Sequence, residues 1–257
     1  MEDSATFTAA PAPAKWHALW VRATHWILAA VIVALIVSGF TILMGHPRFY
    51  WGEGGNDLTT ALFELPIGPN SGGVAFSQPQ PFFGEIDGAA TANRLESPWN
   101  QNSWARSLHF LTAWIFLAVL LVYLGIAGVS GHARRNLLPR RGELAARNIL
   151  QDIRSHLKPG RPVDHIGPPY AILQKLAYAL VLFLALPLML LTGISMSPAI
   201  TASYPILLDL FGGTQSARTI HFFGFAFVAA FLLVHLSMVL ISGPVRLMRG
   251  MIFGGGQ

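Results

Sequence analysis

The sequence predicts an all-α integral membrane protein, built as a bundle of four transmembrane helices. Three observations support this fold class. Hydrophobic residues make up 53% of the 257 residues and charged residues only 11%, whereas about a quarter of a soluble domain is charged. Four apolar stretches are each long enough to cross a bilayer. The segments between them differ in charge, as the two sides of a membrane protein do.

The four predicted helices cover about residues 23–44, 108–129, 171–195 and 219–242. A bilayer core of about 30 Å requires roughly 20 helical residues, and each stretch contains a run of about that length without Asp, Glu, Lys or Arg. Only helices and closed barrels satisfy their backbone hydrogen bonds in lipid, and barrel strands alternate apolar and polar residues. The continuous apolar runs therefore favour helices.

The charge bias of the connecting segments predicts the orientation. Residues 131–170 carry eight Lys and Arg against three acids, whereas residues 45–105 carry two against six. Because basic loops stay inside, we expect a bacterial inner membrane protein with loop 131–170 and both termini in the cytoplasm. Residues 1–14 are then a flexible cytoplasmic tail, and 45–105 is a long periplasmic loop. The net charge of +5 reflects this bias rather than nucleic-acid binding.

The chain has no cysteine and nine histidines. The lack of thiols excludes disulfides, iron–sulfur clusters and covalently attached haem. Four histidines lie inside the predicted helices, namely His25, His109, His221 and His235. An ionisable residue inside a membrane helix is costly, so it indicates a functional site.

The depths of these four histidines predict two facing pairs. His221 and His235 are fourteen residues apart on one helix, which is about 21 Å and about 3.9 turns, so they share a face at two depths. Given the direction of each helix, His109 is level with His221 and His25 with His235. Two facing pairs match the axial ligation of two stacked haems b. Histidine bound to iron also leaves no ligating nitrogen unsatisfied in lipid.

Small and basic residues near these histidines are secondary candidates. Gly39, Gly125 and Gly224 leave room for a flat macrocycle, or for close helix packing. Arg22, Arg106 and Arg218 each lie one turn before a candidate ligand, where they would bind haem propionates or act as interfacial anchors. The five remaining histidines are interpreted as solvated or interfacial: His17, His46, His132, His156 and His165. Of these, His17 is also a candidate proton acceptor for a quinone, together with Arg22.

Three segments that contain the candidate ligands are "RATHW", "RSLHFLTAW" and "FGGTQSARTIHFFGFAFVAAFLLVHLSMVLISG". They resemble the dihaem cytochrome b subunits of the thiosulfate-reductase type, in a superfamily with the membrane subunits of formate dehydrogenase and nickel–iron hydrogenase. The resemblance covers all four helices. The segment "PPYAILQKLAYALVLFLALPLMLLTGISMSP" is similar to the third helix of that family, which carries no haem ligand.

The resemblance implies two haems b, bound by His25 with His235 and by His109 with His221. It also implies a quinone site near the cytoplasmic-side haem and a periplasmic redox subunit, commonly a molybdopterin enzyme. We therefore expect a subunit that carries electrons across the membrane between quinone and that partner. Two alternatives remain open: a stand-alone b561-type quinone oxidoreductase with a diffusible periplasmic donor, and a non-redox membrane anchor. A proton-relay transporter is disfavoured because the helices contain no Asp or Glu.

Overall fold

The computed structural model describes residues 17–55, 59–65, 103–156 and 170–254. For residues 155 and 156 it describes the backbone alone. The predicted tail 1–14, most of loop 45–105 and part of loop 131–170 lie outside the described residues. In chain order the elements are α1 (Leu19–Gly45), β1 (Arg48–Phe49), β2 (Phe63–Glu64), α2 (Ser103–Val129), α3 (Ala146–His156), α4 (Ile172–Ser195), α5 (Pro198–Thr201), α6 (Ile206–Phe211), α7 (Thr214–Ile241) and α8 (Pro244–Phe253).

Four of these helices, α1, α2, α4 and α7, are long and apolar enough to cross a membrane. The predicted fold class, a four-helix membrane bundle, is confirmed. Helices α1 and α2 have 27 residues each, about 40 Å, which is more than the roughly 30 Å of a bilayer core. The terminal turns of these two helices, with Arg22 and Arg106, therefore extend beyond the apolar core of a bilayer.

Helix α4 is the least regular of the four. It widens into π-helical turns at Val181–Ala185, directly before Pro187. Proline lacks an N–H and its ring clashes with the carbonyl four residues earlier, so a regular α-helix cannot continue through it. Local π-helical turns absorb such a defect within a continuous helix. The span therefore reaches Ser195 without breaking.

The bundle packs as two helix pairs, α1 along α2 and α4 along α7. A cluster of buried apolar side chains joins the pairs at mid-height, with Val31, Phe116, Leu120, Val181 and Leu186 at its centre. Leu28, Val228 and Phe231 pack against this cluster. The middle of the bundle is therefore filled with apolar side chains, and polar groups concentrate towards the two ends.

One end of the bundle carries a two-stranded antiparallel hairpin, and we call it the hairpin end. Strand β1 pairs with β2, placing Arg48 opposite Glu64 and Phe49 opposite Phe63. The Arg48 and Glu64 side chains form an ion pair of 3.3 Å (Nε to Oε2) and are nearly fully buried. The rings of Phe49 and Phe63 stack with centroids 4.6 Å apart.

The hairpin end is fixed to the first turns of α7. Thr219 Oγ1 donates a hydrogen bond to the Tyr50 carbonyl (2.7 Å), and the Gly52 N–H donates to Ser216 Oγ (2.7 Å). Gly213, which precedes α7, has φ +115°, and a β-carbon there would lie 2.4 Å from the Gly52 carbonyl carbon. Only glycine tolerates both the backbone angle and the close approach.

The opposite end carries the arginine-rich segment after α2, and we call it the basic end. Its exposed arginines include Arg134, Arg135, Arg140 and Arg141. Here α8 folds back onto the start of α1. The indole N–H of Trp26 donates to the Met251 carbonyl at 3.1 Å, and this contact fixes the last described helix against the bundle.

Candidate functional site

The four histidines inside the membrane helices meet in two pairs. The ring centroids of His25 on α1 and His235 on α7 are 6.4 Å apart, with an interplanar angle of 55°. Those of His109 on α2 and His221 on α7 are also 6.4 Å apart, at 68°. These are the pairs expected from depth, and α7 contributes one member to each.

The separation within each pair matches a metal bound between two imidazoles. An imidazole nitrogen binds a transition metal at about 2.0–2.1 Å, so two rings on opposite sides of one metal place their centroids about 6–6.5 Å apart. Within the described residues no three or more His, Asp or Glu side chains converge on a possible metal site. A pair is too few for a purely protein-bound metal ion but suffices for an iron that a porphyrin already holds. The residues present therefore fit haem.

A buried hydroxyl holds each histidine of the hairpin-end pair. Ser38 Oγ on α1 lies 3.0 Å from His109 Nδ1, and Thr192 Oγ1 on α4 lies 2.9 Å from His221 Nδ1. Both residues are 0% exposed. Neither residue stands out in the sequence as a candidate for the site. The available signal was a hydroxyl–glycine dipeptide in each of two helices, Ser38–Gly39 and Thr192–Gly193.

The glycines of this end leave room for the same two rings. A β-carbon at Gly39 would lie 3.2 Å from His109 Cε1, and one at Gly193 would lie 3.5 Å from His221 Cε1. Gly39, predicted to make room for a macrocycle or for packing, therefore lies directly against a candidate ligand.

The other two predicted glycines differ from Gly39. A β-carbon at Gly224 would lie 2.5 Å from Met189 Sδ, so Gly224 lets α7 approach α4. At Gly125 such a β-carbon would have no described heavy atom within 4 Å, so this position faces open space.

The basic-end pair has an aromatic environment. The indole of Trp26 is perpendicular to the His25 ring, with centroids 5.4 Å apart, and the Phe231 ring lies nearly parallel to that of His235 at 6.0 Å. Among the described residues His25 Nδ1 is buried without a hydrogen-bond partner. The two pairs therefore share their spacing but differ in their polar contacts.

The arginines near the hairpin end have different surroundings. Arg106 is exposed. Arg218 donates to the backbone carbonyls of Arg48 (2.8 Å) and His46, and its guanidinium lies 5.1 Å from the centre of the Phe49 ring. Arg218 thus holds the hairpin in place, three residues before the candidate ligand His221 on α7. A role of either arginine towards haem propionates stays a prediction.

At the basic end, His17 belongs to a partly buried polar cluster. Its Nδ1 lies 3.3 Å from the Tyr170 hydroxyl. Burial lowers the pKa of His17 below its ordinary value of 6.5, and the nearby His132 and Arg22 lower it further. Arg22 donates a hydrogen bond to the Ile252 carbonyl at 2.9 Å. His17 is therefore neutral at pH 7 and able to accept a proton.

His132, which the sequence indicated to be solvated or interfacial, contacts other residues of the basic end. Its ring is half-buried, packs edge-on against Trp20 with centroids 5.2 Å apart, and has Nδ1 2.9 Å from Asn136 Nδ2. Its Nε2 is buried and has no hydrogen-bond partner within the part of the chain described. Burial lowers its pKa, and Arg135 adds to the effect. The side chains of His156 and His165 lie outside the described residues.

Four membrane-length helices that present facing histidine pairs at two levels define a multi-pass membrane cytochrome b. The sequence model of the prokaryotic cytochrome b561 family matches residues 16–254, and the chain belongs to this family. It is thus a transmembrane electron-transfer cytochrome that binds haem b. The chain is also similar to the "Putative protein-methionine-sulfoxide reductase subunit YedZ1" of Azospira oryzae, with 27% identity over 223 residues, 87% of this chain and 89% of that protein.

Proposed function

We propose that the chain is a dihaem cytochrome b subunit that carries electrons across the membrane between a quinone site at the basic end and a redox partner at the hairpin end. The observation that carries the proposal is the repetition of one spacing, 6.4 Å, in two histidine pairs. His25 and His235 would hold one haem b, and His109 and His221 the other. When bound, haem b supplies reversible one-electron transfer at its iron.

The side chains between the two pairs exclude water from the electron path. His221 and His235 are fourteen positions apart on α7, which is about 21 Å along the helix axis. The buried side chains of Val31, Phe116 and Leu120 occupy the intervening height. A dry, apolar middle prevents protons from following the electrons, so transfer across the bundle separates charge.

The basic end would face the cytoplasm of a bacterial inner membrane. The exposed Arg134, Arg135, Arg140 and Arg141 lie there, and short basic segments remain on the cytoplasmic side. Both termini would be cytoplasmic, since the described residues contain four spans, an even number. The hairpin and the long segment that follows it would then be periplasmic.

A quinone would bind beside the basic-end pair. Its reduction takes up protons together with electrons, and quinol oxidation releases both, so the site needs a proton acceptor close to the electron carrier. His17 is neutral at pH 7 because burial lowers its pKa, and it precedes His25 by eight residues at the same end of the bundle. His132 Nε2, which has no hydrogen-bond partner among the described residues, and the hydroxyl of the half-buried Tyr170 offer further hydrogen-bonding groups for a quinone.

The substrate chemistry would belong to a separate periplasmic subunit. The Azospira oryzae relative is named as a subunit of a protein-methionine-sulfoxide reductase, which supports a partnership of this kind. The resemblance to thiosulfate-reductase-type subunits favours a molybdopterin enzyme as the partner. The hairpin would form part of the docking surface, because it is fixed to α7 close to His221.

Haem analysis of the purified protein tests the proposal. We expect a red protein whose pyridine haemochrome is of the b type, with two haems per chain. Adding a quinol should reduce both haems. A folded, colourless protein would refute electron transfer through haem. If the purified chain alone carried electrons from a diffusible donor to quinone, the stand-alone quinone oxidoreductase would be favoured.

A further inference from the structure

We propose that Ser38 and Thr192 would lower the reduction potential of a haem held at the hairpin end, because each hydroxyl accepts a hydrogen bond from the Nδ1–H of a candidate ligand histidine. This inference rests on the proposed function, which assigns His109 and His221 as the ligands. The contacts are 3.0 Å for Ser38 with His109 and 2.9 Å for Thr192 with His221. Ser38 and Thr192 are positioning residues, since they act through the histidines.

The direction of these hydrogen bonds follows from the single proton of each hydroxyl. Ser38 Oγ donates to the Ala34 carbonyl at 2.6 Å, and Thr192 Oγ1 donates to the Leu188 carbonyl at 2.7 Å. A carbonyl only accepts, so it takes the hydroxyl proton, and the oxygen is left to accept from the imidazole. Nδ1 of each histidine therefore carries the proton, and Nε2 has its lone pair free for iron.

The same hydrogen bonds make the histidines stronger ligands. An acceptor on the remote N–H of a metal-bound histidine orients the ring and raises the basicity of the ligating nitrogen. A more basic ligand stabilises ferric over ferrous iron, and so the potential falls. Both hydroxyls are 0% exposed, and a hydrogen bond is electrostatically stronger in such surroundings than in water.

A repeated four-residue pattern builds this arrangement twice. "SGFT" (38–41) on α1 and "TGIS" (192–195) on α4 each consist of hydroxyl, glycine, apolar residue and hydroxyl. The first hydroxyl contacts the histidine, and the glycine leaves room for its ring. The last hydroxyls, Thr41 and Ser195, donate to the Val37 and Leu191 carbonyls of their own helices. The last residue of each pattern therefore provides a matched control.

The basic-end pair has no equivalent support at His25. Its Nδ1 has no hydrogen-bond partner among the described residues. The ring of His235 stacks on an apolar side chain, Phe231. With these contacts, a haem held by His109 and His221 would be harder to reduce than one held by His25 and His235.

A potentiometric titration of the purified dihaem protein tests this assignment, using the volume-conserving variants Ser38→Ala and Thr192→Val, which remove the hydroxyls. Comparison with His109→Ala and His25→Ala, each expected to lack one haem, identifies the spectral signal of each haem. In the double variant the ferrous-to-ferric ratio of the hairpin-end haem at a fixed potential should rise about tenfold, which is about 59 mV for one electron. Its low-spin EPR signal should shift as well, while the basic-end haem keeps both its potential and its signal.

Control variants separate a hydrogen-bonding role from a packing role. Thr41→Val and Ser195→Ala should leave both potentials unchanged, and so should Ser38→Thr and Thr192→Ser, which retain the hydroxyl. An unchanged hairpin-end potential in the double variant, an equal shift of both haems, or loss of the hairpin-end haem from both volume-conserving variants would overturn the inference. In these cases the proposed function would stand, whereas it would fail if the wild-type chain bound no haem.

Discussion

The imidazole of His109 lies so close to the backbone of Gly39 that a β-carbon at residue 39 would be 3.2 Å from its Cε1. The residue before this glycine, Ser38, holds Nδ1 of the same ring. One short stretch of α1 thus fixes the position and the orientation of a histidine on α2. The placement of a candidate ligand therefore depends on a helix that does not carry it.

A larger side chain at residue 39 should therefore displace a haem. The two methyl groups of Gly39→Val would occupy the space of the His109 ring, and we expect the content of the hairpin-end haem to fall severalfold in the purified protein. Gly193→Ala should be tolerated, because its β-carbon would meet His221 at 3.5 Å, an ordinary van der Waals distance. Gly125→Ala is the control, since its β-carbon would meet no described atom within 4 Å. Full haem content in Gly39→Val would contradict this account.

The two pairs predict which single substitutions have the same effect. His109→Ala and His221→Ala should each remove the same haem, since each deletes one side of one pair, and half of the haem content should remain. His25→Ala and His235→Ala should remove the other haem. Difference spectra of the four variants, with His46→Gln as a control that keeps both haems, check the assignment. If His109→Ala and His221→Ala lost different haems, the pairing would be wrong.

The sequence was sufficient to predict the four helices and the histidine pairs for a simple physical reason. Membrane helices have a fixed rise and run across a slab of known thickness, so position along the chain gives depth. Depth alone then places His109 opposite His221 and His25 opposite His235. In the structure the rings of these same residues lie 6.4 Å apart in each pair.

The contacts of the hydroxyls could not be predicted in this way. Ser38 and Thr192 bond the carbonyls of their own helices, as serine and threonine do in any helix. Only the rotation of α1 and α4 about their axes decides whether such a hydroxyl also faces a histidine. The partners of Arg218 were equally hidden, because they lie in the hairpin, about 170 residues earlier in the chain.

The lowered pKa of His17 predicts how quinol oxidation depends on pH. Burial, His132 and Arg22 all lower this pKa from 6.5, so His17 loses its ability to accept a proton only below that pH. The rate of haem reduction by quinol should stay constant from pH 8 to about 6.5 and fall in more acidic solution. Stopped-flow measurements across this range test the prediction.

His17→Gln is the matched variant for this measurement, because glutamine retains hydrogen-bonding groups for Tyr170 but does not titrate. Its rate should be several times lower than that of the wild type at pH 7 and should lose the decline in acid. If the fall in rate at acidic pH persisted unchanged in the variant, the proton acceptor would be another group. Haem content, measured in parallel, should remain at the wild-type level because His17 belongs to neither pair.

The orientation of the bundle can be measured directly because the natural chain has no cysteine. Single cysteines introduced at exposed positions of the two ends, Trp51→Cys and Arg134→Cys, provide unique labelling sites. Since basic segments remain in the cytoplasm, a membrane-impermeant maleimide added to spheroplasts should label residue 51 at once and residue 134 only after the membrane is permeabilised. The wild-type chain is the blank. The reverse pattern would place the basic end outside, and the quinone site that we assign to His17 would then exchange protons with the periplasm.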